Sequence, residues 1–492
     1  MSTAKVPCGC GQKCAFWGWA GVAALLLIGA APGDFLWPKA TAAILPPELQ
    51  LKNQTTVIPA EIVSFITAEK KLADEIARQS NFKHSPDLEN FFAAAKAGQI
   101  GDARRIYAGL MKSAQSAAPG SELRTPILEI AKEIELAIDA FEEGNPDLVL
   151  ALGKDFMKAL PPGCIYFGGT DPGRGLPTAL CRAPGDPFFV LSQNPLADPR
   201  YMDYLRYLYG GLLQIPTTNE FQECYAAYQS DITLRMEHDK LHPNEPRQVL
   251  PGEELTAQGG TLQITGLSAV MRVNGLIAKK VFDENPGREF YVEESFPLEW
   301  MKPYLTPSGI ILKINRQPVP EITPETMDAD HKFWGGVAER TIGNWITSDT
   351  TVKDVCHFCE KVYVRHDQSD FKGDPRFLQS PYAQKTYSKL RDSIASSIYQ
   401  WRTDGPDAPK TGPETKARLL KEAEFASKQA LALCPYSPEA VYHSMLLLSS
   451  QRRFEEARMI LKLALAVDPK NPQFADWLSG LNRQQGGANP GR

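Results

Sequence analysis

The sequence is poor in most of the marks by which a chain advertises its chemistry. Neither charge dominates: Lys and Arg number 53 against 58 Asp and Glu, a net charge of −5. No basic excess stands ready to neutralise a phosphate backbone, so nucleic acid is excluded as a partner. Histidine is scarce, at 7 residues. There is no G-K-[ST] phosphate loop, no G-x-G-x-x-G opening a helix, and Ser192 and Ser308 lie in no G-x-S-x-G elbow. Long apolar runs are lacking after the first forty residues, which excludes a polytopic membrane protein. What is plentiful is proline, 39 residues that cut the middle of the 492-residue chain into short elements.

The one uncharged stretch, Ala15 to Ala31, contains Ala23-Ala24-Leu25-Leu26-Leu27-Ile28 and reaches spanning length by continuing to Trp37. Lys5 and Lys13 precede it and Asp34 follows, which places the amino end in the cytoplasm and the bulk outside. Ala40-Thr41-Ala42 is a small-x-small site. Two readings stand: a signal anchor holding a single-pass inner-membrane protein through residues 15–37, or a signal cleaved on secretion to the periplasm. Cys8, Cys10 and Cys14 precede the run without a fourth ligand and read as a solvated tail. The six later cysteines, an even number outside the membrane, permit disulfides without requiring them.

The expected organisation is residues 1–42 as tail plus anchor or signal, 43–60 as linker, 61–161 as a helical domain, 162–403 as an α/β core with a helical extension, 404–413 as linker and 414–492 as repeats. Apolar residues at three- and four-residue spacing (Ile62, Phe65, Ile66, then Leu88, Phe91, Phe92) give the helical domain. Short β-branched or aromatic runs at 164–167, 188–191, 262–265, 289–292 and 310–314 then alternate with helical stretches, the pattern of one central mixed sheet. The capping box Thr217-x-x-Glu220 opens the longest helix, and Pro324 takes the first position of another.

At a shift of 34 residues the end of the chain matches itself. Glu422, Ala423, Lys428, Ala430, Leu431, Ala432, Pro435 and Pro438 pair with Glu456, Ala457, Lys462, Ala464, Leu465, Ala466, Pro469 and Pro472. Small residues where paired helices touch (Ala423, Ala430, Ala457, Ala464) and a proline closing the second helix (Pro435, Pro469) are the tetratricopeptide pattern. The fold expected is therefore an α/β core with a mixed sheet, flanked by amino-terminal helical hairpins and a carboxyl-terminal tetratricopeptide-like α-solenoid leaning on the helices before it.

Three constellations invite a chemical reading. Gly168-Gly169-Thr170-Asp171-Pro172-Gly173-Arg174-Gly175 follows a strand; its amides and Arg174 suit an anion, with Asp171 as a metal or ligand partner, and a tight structural turn is the plainer reading. His238-x3-His242 has zinc-helix spacing, but Pro243 pushes His242 off the helix. Cys356-x-x-Cys359 has redox spacing, but lies in an apolar stripe that reads as core. His84, His331, His366 and His443 have no partners at metal or triad spacing. No metal and no cofactor are expected, and no catalytic residue is identified.

Around Tyr166 to Arg174 and Arg288 to Ser295 the chain resembles a bacterial extracytoplasmic domain family related to the soluble part of O-mannosyltransferase-like membrane proteins. The resemblance covers residues 160–401 and implies an extracytoplasmic α/β domain followed by tetratricopeptide units. With one apolar segment the chain lacks the membrane-embedded transferase part of the polytopic relatives. The expectation is a non-enzymatic envelope protein that meets a protein partner through its repeats. The alternative is a transferase-associated domain, or one that binds a carbohydrate or phosphorylated precursor, through Gly168, Gly169, Thr170, Asp171 and Arg174.

Overall fold

A computed structural model describes residues 55–486 except 119, 170, 183–184, 186, 259–260, 294–297 and 406–410, together with Leu26 and Leu27. Apart from Leu26 and Leu27, the expected anchor or signal lies outside the described residues, as do the first three cysteines, most of the first linker and half of the second. The chain divides into a larger unit, Asn53–Asp231 with Met271–Arg492, and a smaller one that includes Ile232–Val270. It is mostly helical, with seventeen α-helices and one small mixed five-stranded sheet among the described residues.

In the larger unit α1 (Ala60–Gln79), α2 (Pro86–Lys96), α3 (Ile100–Gln115), α4 (Ile127–Glu143) and α5 (Pro146–Ala159) come first. Asn145 and Ser85 cap α5 and α2 with their side chains, and proline takes an opening position of each helix. Strand β1 (Ile165–Gly168) leads through α6 (Asp171–Arg182) to β2 (Phe189–Ser192). The chain continues as α7 (Pro199–Tyr209), then α8 (Thr218–Leu241), whose Thr217–Glu220 capping box closes as expected. The smaller unit holds the antiparallel hairpin β3 (Glu254–Gln258) and β4 (Thr261–Thr265), so the run at 262–265 belongs to no central sheet. There Arg235 grips Glu253 with two bonds, 2.6 and 2.9 Å.

Helix α9 (Leu267–Glu284) returns to the sheet at β5 (Phe290–Val292), followed by β6 (Leu305–Ser308) and β7 (Ile311–Ile314). The sheet order is β2-β1-β5-β7-β6, with β1 parallel to β2 and β5 and the last pairs antiparallel. Strand β6 contains Pro307, which argues against a strand in sequence; at the sheet edge its missing N–H costs no ladder bond.

Helices α10 (Pro324–Thr341) and α11 (Val352–Cys359) follow, the latter running into a π-helical turn at Glu360–Val364. Helix α12 (Pro381–Ser393) continues through a second π-helical stretch, Ile394–Gln400, into α13 (Trp401–Asp404). The last four helices, α14 (Pro413–Leu433), α15 (Pro438–Ser450), α16 (Phe454–Val467) and α17 (Pro472–Gly486), each pack on the next. Helix α14 also lies along α12 and its π-helical stretch. There the fully buried Arg391 reaches Asp330 and Gln429, both at 2.8 Å, joining α12 to α10 and α14. Ala423, Ala430, Ala457 and Ala464 are fully buried, and Pro435 is buried, whereas Pro469 is exposed.

Candidate functional site

Three parallel strands end together at residues 168, 192 and 292. From β1 the chain leaves to β2 on one side, while β5 lies on the other, so this edge is the switch point where open α/β sheets hold their ligands. The sequence reads Gly168 to Gly175 as a loop. Helix α6 instead begins at Asp171, leaving two residues of turn. Thr170 and the side chain of Asp171 lie outside the described residues.

The turn is fixed by polar contacts from every neighbouring strand. Gln193 N–H donates to Gly168 O at 2.7 Å and Asn194 Nδ2 to Gly169 O at 3.0 Å. Glu293 N–H donates to Phe167 O at 2.9 Å, which continues the β1–β5 pairing and points its residue at the turn. Gly169 N–H donates to Glu293 Oε2 at 2.7 Å. Gly173 is glycine for a steric reason: a Cβ there would stand 2.0 to 2.4 Å from the Glu293 carboxyl atoms. The Gly173 carbonyl accepts from Tyr166 Oη at 2.6 Å.

A carboxylate at the first turn of a helix sits where a bound anion would sit, facing free N–H groups and the positive end of the dipole. Glu293 is 1% exposed. The anion seat that the glycines promise is filled from within.

Arg174 does not face this turn. It is 3% exposed, its Nε donates to Glu133 Oε1 on α4 at 3.2 Å, and its guanidinium lies 5.9 Å from the Tyr201 ring. Burial opposes the charge, but Glu133 more than offsets this and holds the guanidinium protonated. Gly175, one residue on, lets α6 approach α4; a Cβ would meet Leu136 O at 2.6 Å. Two parallel ties join the first helices to the core. Arg182 donates to the fully buried Glu69 at 2.8 Å, and Tyr204 donates to it at 3.3 Å. Arg200 lies 4.0 Å from Glu129 and 3.0 Å from Asp198. The helical block and the sheet thus share one buried layer of charge.

The remaining motifs also resolve. His242 lies beyond α8, yet its ring still stacks on His238 at 4.6 Å, so Pro243 does not part them. Cys356 and Cys359 are buried and in no disulfide, as are Cys164, Cys181, Cys224 and Cys434. Burial pushes Cys356 and Cys434 up to about 12 and Cys359 well above its usual value, which keeps all three as unreactive thiols. Three of the four histidines that lack sequence partners find carboxylates in space: His84 meets Asp74 and Glu122, His331 meets Glu422, and His443 meets Asp392.

Sequence gave no sign of an open groove of about 580 Å³ beside the last helices. The π-helical turn contributes Val362 and Tyr363, the start of α12 contributes Gln384 and Lys385, and Tyr436 and Asp468 come from the turns that end α14 and α16. Tyr363 Oη donates to the Ala432 carbonyl at 2.9 Å, and Tyr436 Oη to Gln384 Oε1 at 2.9 Å. Lys385 lies over the Tyr436 ring at 5.6 Å. His366, on the rim, has φ of +54°, a left-handed backbone that costs a non-glycine residue.

No protein-family model, curated protein or solved structure matches the chain.

Proposed function

We propose that this protein is a non-enzymatic adaptor of the bacterial cell envelope, held outside the cytoplasm by residues 15–37 or released there after their removal. Its carboxyl-terminal hairpins act as tetratricopeptide-type units that bind an extended segment of a partner protein. The groove at Tyr363, Lys385 and Tyr436 is the observation that carries this reading. It joins aromatic and aliphatic surface to the exposed amides of Gln368 and Gln379. Such amides suit a bound main chain, which presents alternating donors and acceptors. The π-helical turn in its wall is a feature often found at functional sites.

The test is a photo-crosslinking residue placed in the full chain at Lys385, with a second at Lys462, exposed on α16, as control. A discrete polypeptide captured in the envelope from Lys385 and absent from Lys462 supports the reading; equal capture at both sites refutes it.

A second reading, a carbohydrate or phosphorylated precursor at Gly168 to Arg174, has one observation in its favour. Gln193 is fully buried and its Oε1 has no hydrogen-bond partner, nor has Ser192 Oγ beside it. A buried acceptor left unpaired costs about 1–3 kcal/mol, and a sugar hydroxyl would satisfy it. With Glu293 in the anion seat, a neutral polyol suits this edge better than a phosphate. Thermal stabilisation by a sugar panel that Gln193→Ala leaves unchanged would refute it.

A further inference from the structure

Helix α1, the turn that leaves it and the start of α2 gather three metal-ligating side chains. One ligand atom from each of Asp74, His84 and Glu89 lies within 4.8 Å of the other two. His84 Nε2 stands 3.0 Å from Asp74 Oδ1, and on the far side of the ring Nδ1 stands 2.6 Å from Glu122 Oε1. Glu122 is itself held, since its Oε2 accepts the Ser85 N–H at 3.1 Å. The imidazole is 9% exposed and Glu122 10%, whereas Asp74 and Glu89 are half-exposed and free to close in.

A neutral imidazole carries one N–H and one lone pair. If Nδ1–H is given to Glu122, the Nε2 lone pair faces a carboxylate oxygen, and two acceptors at hydrogen-bond distance require a cation between them. That cation is a second proton or a metal. A carboxylate that fixes the Nδ1–H tautomer and aims Nε2 outward is the usual second-shell device behind metal-binding histidines. Positive charge is already drawn to the same carboxylates: Lys70 Nζ lies 2.9 Å from Asp74 Oδ1 and 3.2 Å from Glu89 Oε1.

We propose that Asp74, His84 and Glu89 bind a zinc ion, with Glu122 orienting His84 and the Lys70 ammonium competing for the two carboxylates. One nitrogen and two oxygen donors with a fourth position for water suit Zn²⁺, whereas Mg²⁺ and Ca²⁺ prefer oxygen alone.

The test uses the full chain, stripped with a chelator and dialysed against Zn²⁺. Because the chain also holds nine cysteines, whose thiols are able to take up added zinc, the reading is the difference between wild type and His84→Ala, with Glu89→Gln as a surface variant. Expected are one zinc more in wild type than in either variant and a zinc-dependent rise in thermal midpoint that both variants lose. Glu122→Gln is expected to weaken binding by roughly 10- to 100-fold, and Lys70→Ala to tighten it. Equal zinc content in wild type, His84→Ala and Glu89→Gln overturns the proposal. An equal midpoint rise with Mg²⁺ overturns the assignment to zinc.

Discussion

The Glu293 carboxylate accepts the Gly169 N–H at 2.7 Å and lies where a Cβ on Gly173 would have to go. One strand's glutamate thereby closes the helix that follows its neighbour. Gly173→Ala must push the carboxylate away from the turn, and is expected to destabilise the protein by about 1–3 kcal/mol, the usual range for overpacking. Urea unfolding of Gly173→Ala, Glu293→Ala and the double variant measures it. The two costs should be far from additive, because removing the carboxylate first frees the space; additive costs would mean that Gly173 serves some other contact.

Arg174 gives a second prediction. Both partners of the Arg174–Glu133 pair are buried, with side-chain exposures of 4% and 1%. Removing either one strands the other charge, so Arg174→Ala and Glu133→Ala should each cost about 3–5 kcal/mol. The volume-matched double change Arg174→Met, Glu133→Leu should recover most of that loss, since paired burial gains little over a well-packed apolar pair. If Arg174 served a ligand at the sheet edge, the single change would weaken binding with little effect on the unfolding midpoint.

Stability should fall as pH rises through neutrality. His331 is raised above its usual value, chiefly by its hydrogen bond to Glu422, with burial and Arg391 opposing and Asp330 assisting. For His443 burial is the largest influence and lowers it, but the charge and hydrogen bond of Asp392, helped by Glu439, leave it raised overall. A raised pKa means the folded state binds the proton more tightly. The gain is fully present below the unfolded value of about 6.5 and disappears as pH passes the folded value. Glu69 and Glu129, which burial raises, act in the same sense but from about 4.5 upward. Thermal midpoints measured across neutral pH should therefore decline in wild type and flatten in the His331→Asn, His443→Asn double variant. An unchanged slope would assign the decline elsewhere.

Where one local signal sufficed, the sequence was a good guide. Strands β1, β2, β5 and β7 fall within a residue or two of their β-branched runs, and Thr217 and Thr323 cap the helices they precede. Helix α6 was hidden because Gly173, Gly175 and Pro177 each argue against a helix. The two glycines are there to admit Glu293 and the Leu136 carbonyl, contacts made by residues far along the chain. His84 was hidden for a like reason. Its partners stand 10 and 38 residues away and meet it only when the first helices pack. The groove at Tyr436 takes part of its wall from the π-helical turn at Glu360–Val364, which no periodicity announces.

The 34-residue period makes Lys428 and Lys462 equivalent in sequence, but the structure treats them differently. Lys428 is 4% exposed and donates to the carbonyls of Ser348 and Thr350 at 3.3 and 2.6 Å, fastening α14 to the loop before α11. Burial lowers its pKa, with Glu424 opposing. Lys462 is exposed on α16. Lys428→Met removes both donors and leaves two carbonyls without them, for an expected loss of about 1–3 kcal/mol. Lys462→Met should stay within about 0.5 kcal/mol. Urea unfolding of the two variants side by side separates the residue that docks the first hairpin from its copy in the second. Equal costs would mean that α14 gains nothing from the contact its repeat partner lacks.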